Sequence, residues 1–128
     1  MSEISMGNLY EVNQNLSSQM PLMTAPQTMG LYPKLADWFE NHVGRYAMLY
    51  CHEMRDITLF NKETSDYGQA AKAVKILFEC IENRGGLVSC DPADGDAWEI
   101  WIRVENEDLT TTDRCYYLFN YDNAVIEV

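Results

Sequence analysis

Residues 66–84, DYGQAAKAVKILFECIENR, decide the fold. Tyr67, Ala70, Ala71, Val74, Leu77, Phe78 and Ile81 recur at three- and four-residue steps, which gathers them on one broad face of an α-helix. A face that wide suits a helix lying across a sheet. Asp66 with Gln69 three residues on resembles a capping box, and Gly85-Gly86 supplies a residue of positive φ to end the helix. Beyond it the period changes. Residues 87–91, 97–104 and 115–121 are rich in β-branched and aromatic side chains and predict three strands. Asp94-Gly95 marks a hairpin between the first two, 106–113 reads as a polar loop, and 125–128 follow as an edge strand or a tail.

Working back from residue 66, 56–61 and 45–53 read as two strands of a β-hairpin, and Gly44 stops a helix that runs from Pro33 to about His42. Leu35, Trp38 and Phe39 share one side of that helix. Residues 21–30, with Pro21, Pro26 and Gly30, read as a linker or irregular brace. Before them Leu9, Val12, Leu16 and Met20 form a narrow apolar stripe over residues 8–20, a short helix able to dock on its own body, on a second copy or on a foreign partner. The order ααββαβββ, with few crossovers, predicts an α+β fold: an antiparallel sheet of about five strands with helices packed on it. The expected division is an arm and linker over 1–29 and one α+β domain over 30–128.

At 128 residues and 47% hydrophobic, the chain is long enough for one core. No stretch reaches the roughly 20 apolar residues of a membrane span, and residues 1–13 carry neither the basic nor the apolar region of a secretion signal. Cys51, Cys80, Cys90 and Cys115 form no CxxC pair, so they read as reduced core thiols. The expected address is the cytoplasm.

Acids outnumber bases 20 to 9, a net charge of -11, which repels phosphates and argues against direct nucleic-acid binding while favouring a basic protein surface. Eight carboxylates fall between residues 91 and 113: Asp91, Asp94, Asp96, Glu99, Glu105, Glu107, Asp108 and Asp113, against the single base Arg103. They read as a solvated surface or as an electrostatic handle for a basic groove. A strand over 97–104 holds the two acidic loops roughly 26 Å apart at ~3.3 Å per residue, which favours a one-ended wedge over a continuous mimic of a phosphate track.

Cys51-His52-Glu53 holds a thiol, an imidazole and an acid, but neighbours on a strand point to opposite faces. Asp91, Asp94 and Asp96 lack the order of an EF-hand loop, and a metal-dependent hydrolase using them with His52 is the least implausible enzyme. No phosphate-binding glycine loop or zinc spacing occurs, so no cofactor and no metal are expected. In the strand over 97–104, Trp98, Ile100, Ile102 and Val104 face a core while Glu99, Trp101 and Arg103 face away. Tyr46, Met48, Tyr50 and His52 likewise oppose Ala47, Leu49 and Cys51. If the second faces share a side of the sheet, Tyr50, His52 and Trp101 make a half-exposed aromatic surface, either open to a partner or covered by the N-terminal helices.

In size, charge and lack of a catalytic motif the whole chain resembles, by type and not by motif, the small acidic inhibitors that phages and mobile elements deploy against host defence, anti-CRISPR proteins among them. The resemblance implies stoichiometric binding to a basic, nucleic-acid-handling protein. No residue carries over from it; the charge and strand patterns of the chain itself make the expected contacts of such an inhibitor or adaptor the eight carboxylates, with Trp101 or Tyr50 as apolar anchor. The alternative is a structural homodimer or larger oligomer joined through Leu9, Val12, Leu16 and Met20.

Overall fold

The computed structural model describes residues 20–64 and 69–121. Its elements are α1 (Ala25–His42), β1 (Tyr46–Cys51), β2 (Asp56–Asn61), α2 (Ala70–Arg84), β3 (Gly86–Ala93), β4 (Ala97–Glu105) and β5 (Thr111–Asn120). The class is α+β, as the periodicities predict. The narrow stripe of Leu9, Val12 and Leu16 lies outside the described residues, as do the proposed cap at Asp66 and the segment 125–128.

Helix α1 starts eight residues before Pro33, which corrects the linker reading of residues 25–30. Thr24 and Gln27 form a capping box: the Thr24 amide donates to Gln27 Oε1 at 2.7 Å and the Gln27 amide to Thr24 Oγ1 at 3.3 Å. Two of the helix's orphan amides are thereby satisfied, and Pro26 falls in the first turn where its missing N–H costs nothing. Pro33 is then interior. It removes the bond to the Met29 carbonyl, but both residues are exposed, so water can take that carbonyl. The opposite side buries Leu31, Leu35, Trp38 and Phe39.

Helix α2 buries Ala73, Val74, Leu77, Phe78 and Ile81. Ala71, expected on this face, is exposed, and Ala73 takes the inward position. Each large side chain removed from water contributes roughly 1.5 to 3 kcal/mol. The helix ends at Gly85, whose N–H still bonds the Ile81 carbonyl at 3.2 Å. Its glycine is required by close approach, since a Cβ there would overlap the Arg103 carbonyl oxygen and the Ile102 side chain. Gly86 already belongs to β3, so Gly85 alone ends the helix, with the positive φ of 158 expected of one member of the pair.

The five strands order as β2-β1-β5-β4-β3, every pairing antiparallel. β3, β4 and β5 form a meander, and β5 then docks on β1, which joins the meander to the β1–β2 hairpin. β5 runs from Thr111, so three residues expected in the polar loop are strand. Both helices pack on one face, where Ala47, Leu49, Cys51, Ile100, Ile102 and Leu118 meet Leu35, Phe39, Val74 and Leu77 in a single core. Trp38 and Val43 of this layer are buried too, and Tyr32 of α1 lies 4.9 Å from Phe78 of α2, ring to ring. No described helix is long and apolar enough to cross a membrane.

Candidate interaction surface

The strand period of two that sends Ala47, Leu49, Ile100 and Leu118 to the helices sends an equal number of residues the other way, and no described element packs there. The register arranges these residues in rows across the sheet. One row runs Ile57, Tyr50, Tyr117, Glu99, Asp91. A second runs Leu59, Met48, Phe119, Ala97. On the other side of the first row, Cys115, Trp101 and Ser89 pair across β5, β4 and β3, and beyond them Asp113 pairs with Arg103. Tyr50 and Trp101 therefore share a face, on the two strands that flank β5. The face is apolar and aromatic over β2, β1 and β5, and acidic towards β3.

Its polar atoms are tied to the face itself. Tyr50 Oη lies 2.7 Å from His52 Nδ1. Trp101 Nε1 donates to Glu99 Oε2 at 3.1 Å, and Arg103 Nε donates to Asp113 Oδ1 at 2.9 Å. Burial pushes the Cys115 thiol up, and a hydrogen bond with Cys115 raises the Tyr117 phenol. These contacts hold rings in place without covering them: Tyr117 is 41% exposed, while Met48, between Leu59 and Phe119, is buried. A preset aromatic surface of this kind can bury apolar area on a partner at small entropic cost.

The eight carboxylates are not one surface. Asp94 and Asp96 occupy the β3–β4 turn, Glu105, Glu107 and Asp108 the far end of β4, and only Asp91, Glu99 and Asp113 lie on the aromatic face. Several have structural partners. Asp96 takes a left-handed conformation at φ 59, its carbonyl accepts from Trp38 Nε1 at 3.1 Å, and its carboxylate lies 3.0 Å from His42 Nδ1, so it ties the turn to α1. The Thr110 hydroxyl and amide donate to Asp108 at 2.6 and 3.1 Å and hold that carboxyl below its usual range. Asp113 is paired with Arg103, and Glu99 with Trp101.

Met20, the one described member of the N-terminal stripe, is 53% exposed and borders a hollow of about 250 Å³ with Val88, Ser89, Trp101 and Asp113. Residues 21–23 then pass the β3 edge, where the Met23 amide donates to the Leu87 carbonyl at 2.8 Å. Tyr117, Phe119, Cys115, Ile57 and Leu59 were not singled out from the sequence as surface residues. The alternation of Cys115, Tyr117 and Phe119 with Tyr116 and Leu118 was the available signal.

Cys51 is fully buried on the helix side, and His52 turns to Tyr50, so the two make no nucleophilic pair. His52 sits at the end of β1 beyond Tyr50, whereas Asp94 and Asp96 lie past the opposite end of that sheet row, at the Ala97 end of β4. The four residues of the hydrolase reading do not converge, and among the described residues no three His, Cys, Asp or Glu are grouped to hold a metal ion. Compared with known proteins, the chain matches no family model, no curated protein and no solved structure.

Proposed function

We propose that this protein acts by stoichiometric binding, using the helix-free face of the sheet to dock on a protein that presents an apolar patch rimmed by basic residues. The observation that carries the reading is the row Tyr50, Tyr117, Glu99, Asp91 beside Trp101: aromatic anchors running into unneutralised carboxylates on one rigid sheet. Aromatic centres with a charged rim are the usual anatomy of a specific interface. The net charge of -11 favours a basic partner and disfavours a second copy of the same acidic face. By the resemblance in type to anti-defence inhibitors, such as anti-CRISPR proteins, the partner is a nucleic-acid-handling protein whose basic groove is occluded. Four free thiols support a reducing, cytoplasmic setting.

A second reading rests on Met20. Met20 lies beside Val88 and Trp101, and by this reading the segment that precedes it in the sequence, residues 1–19, is a rival occupant of the aromatic face. One experiment separates these readings. Wild-type protein, Tyr117→Asp and Glu107→Lys are each used to capture partners from a lysate at low and at high salt. A basic protein retained by wild type and by Glu107→Lys, but lost with Tyr117→Asp and with salt, supports the face as the site. Retention by Tyr117→Asp overturns it. Removing residues 1–19 strengthens capture if the arm competes for the face, and sedimentation of the same variants shows whether a second copy occupies it.

A further inference from the structure

On the other face of the sheet, past the end of the helix layer, lies an open cleft of about 520 Å³. It is built from three places far apart in the sequence: the β1–β2 turn with Met54 and Arg55, leading into Asp56 of β2; the last residue of α2, Arg84; and the adjoining parts of β4 and β5 with Val104, Arg114 and Tyr116. Three of the chain's five arginines therefore line one cleft in a protein whose net charge is -11. Like charges gather against such a background at a cost, which makes the cluster the most unexpected electrostatic feature of the molecule.

The three guanidinium groups are not equivalent. Arg84 is spent: it clamps Asp56 through Nε and, at 3.1 Å, through Nη2, it reaches Thr58 Oγ1 at 2.8 Å, and its Nη1 donates to the Cys80 carbonyl at 2.9 Å. Tyr116 Oη donates to the same Asp56 carboxylate at 3.1 Å, and the Arg84 guanidinium lies over the Tyr116 ring. This pair forms the floor. The guanidinium groups of Arg114 and Arg55 have no hydrogen bond or ion pair among the described residues, and Arg114 Nε is buried without a partner. A buried, unpaired donor on a charged group is a rare and costly feature unless a ligand completes it. Arg55 adds a second cost: it holds φ 52 in the left-handed region, where glycine or asparagine would be the cheaper residue.

We infer that this cleft is a binding site for the oxyanionic group of a small organic molecule, a carboxylate or a phosphate, held by Arg55 and Arg114. With Asp56 neutralising Arg84 and Glu105 at the rim, the cleft carries a net charge of about +1, which one oxyanion closes. Planar guanidinium groups present paired donors to both carboxylate and phosphate oxygens. Met54, Val104 and the Tyr116 ring supply an apolar wall, and the volume falls within the 300–1,000 Å³ usual for small-molecule sites, so an organic body fits beyond the charged group.

The test uses the intact chain and two probes, sodium phosphate and sodium benzoate, titrated at ionic strength held constant with sodium chloride. Arginine Nε–H and backbone amide resonances are followed by NMR. The expected result is a saturable shift at Arg114 Nε–H and at the Arg55 and Asn106 amides, with the tighter probe naming the source of the oxyanion. Arg55→Gln and Arg114→Gln each weaken the dissociation constant about tenfold or more, as loss of a charge-assisted pair does, while Lys72→Gln on the exposed side of α2 leaves it unchanged. Arg55 is an exposed turn residue, so its variant keeps the fold even if Arg114→Gln does not. Shifts that never saturate with either probe, or that saturate in Arg55→Gln at the wild-type dissociation constant, overturn the assignment.

Discussion

Leu109 is 79% exposed and holds φ 70 at the tip of the β4–β5 turn, where its N–H closes on the Asn106 carbonyl at 3.0 Å. A branched side chain in the left-handed region carries a steric penalty of about 1–2 kcal/mol, and here it buries nothing in return. Leu109→Gly is therefore expected to stabilise the protein by about 1 kcal/mol, net of the entropy that glycine adds to the unfolded chain, read as a higher urea midpoint at unchanged slope. A lower midpoint would mean that the leucine has contacts outside the described residues. The Asp94-Gly95-Asp96 turn behaves differently. That turn also needs left-handed residues, at Gly95 (φ 74) and Asp96 (φ 59), and uses types that adopt the conformation readily, so the sequence announced the hairpin. Residues 106–110 fold just as tightly through Asn106 and Thr110, but Leu109 gave no such signal and the segment read as a longer loop.

At the scale of elements, α1 shows how one residue type can carry two messages. Proline suits a first helical turn, and placing Pro33 there set the expected start of the helix eight residues late. The real first turn is marked by Thr24 and Gln27, a capping-box pair with Pro26 between them, overlooked because Pro21, Pro26 and Gly30 resemble loop composition. The cost of an interior proline is about 3 kcal/mol relative to alanine in an undistorted helix, part of it relieved here by solvent at the exposed Met29 carbonyl. Pro33→Ala is accordingly expected to stabilise α1 by about 2 kcal/mol and to raise the melting temperature by several degrees, with no change in the sheet's circular dichroism. A melting temperature unchanged or lowered would show that the helix axis is bent at Pro33 to fit the core. In α2 and β4, by contrast, the apolar periods of Val74, Leu77, Phe78 and Ile81 and of Trp98, Ile100 and Ile102 placed every one of those side chains in the core.

For the whole molecule, three of the groups whose titration is coupled to the fold, Asp56, Cys90 and Tyr116, sit beneath the helices or around the cleft. The Arg84 clamp lowers the Asp56 carboxyl from its usual 3.8, the burial of the pair opposing and the Tyr116 hydroxyl assisting. A depressed carboxyl contributes stability that is complete above the unfolded value and is lost as pH falls from about 4 through the folded one. Burial pushes the Cys90 thiol from 9.0 up to about 12, and burial with the Asp56 hydrogen bond pushes the Tyr116 phenol from 10.0 up to about 12. For these raised groups the sign reverses: the folded state keeps protons that the unfolded chain loses, so stability falls as pH rises from about 9 to 12. Urea midpoints are expected to form a plateau between about pH 5 and 9 and to fall on both sides. Asp56→Asn should cost about 2 kcal/mol at pH 7 and flatten the acid limb, while Cys90→Ser and Tyr116→Phe should flatten the alkaline limb. Alkaline limbs of equal slope in wild type and both variants would remove these two groups as its cause.

What the sequence determined by itself was the kind and order of the elements, because helix and strand periods are local: residues 70–84 and 97–105 repeat at 3.6 and 2 whatever they later touch. The two inward sides followed from the same periods. The tertiary structure alone decided that β5 lies between β1 and β4, which sets Tyr50, Tyr117 and Trp101 on one face and leaves that face without a helix among the described residues. It also separated the eight carboxylates that the sequence grouped, and gathered Arg55, Arg84 and Arg114 that the sequence scattered. Strand pairing and cleft walls depend on contacts between residues tens of positions apart. Closing such loops has an entropic cost that varies only slowly with length, so many pairings are open to one set of strands and no local pattern encodes the choice.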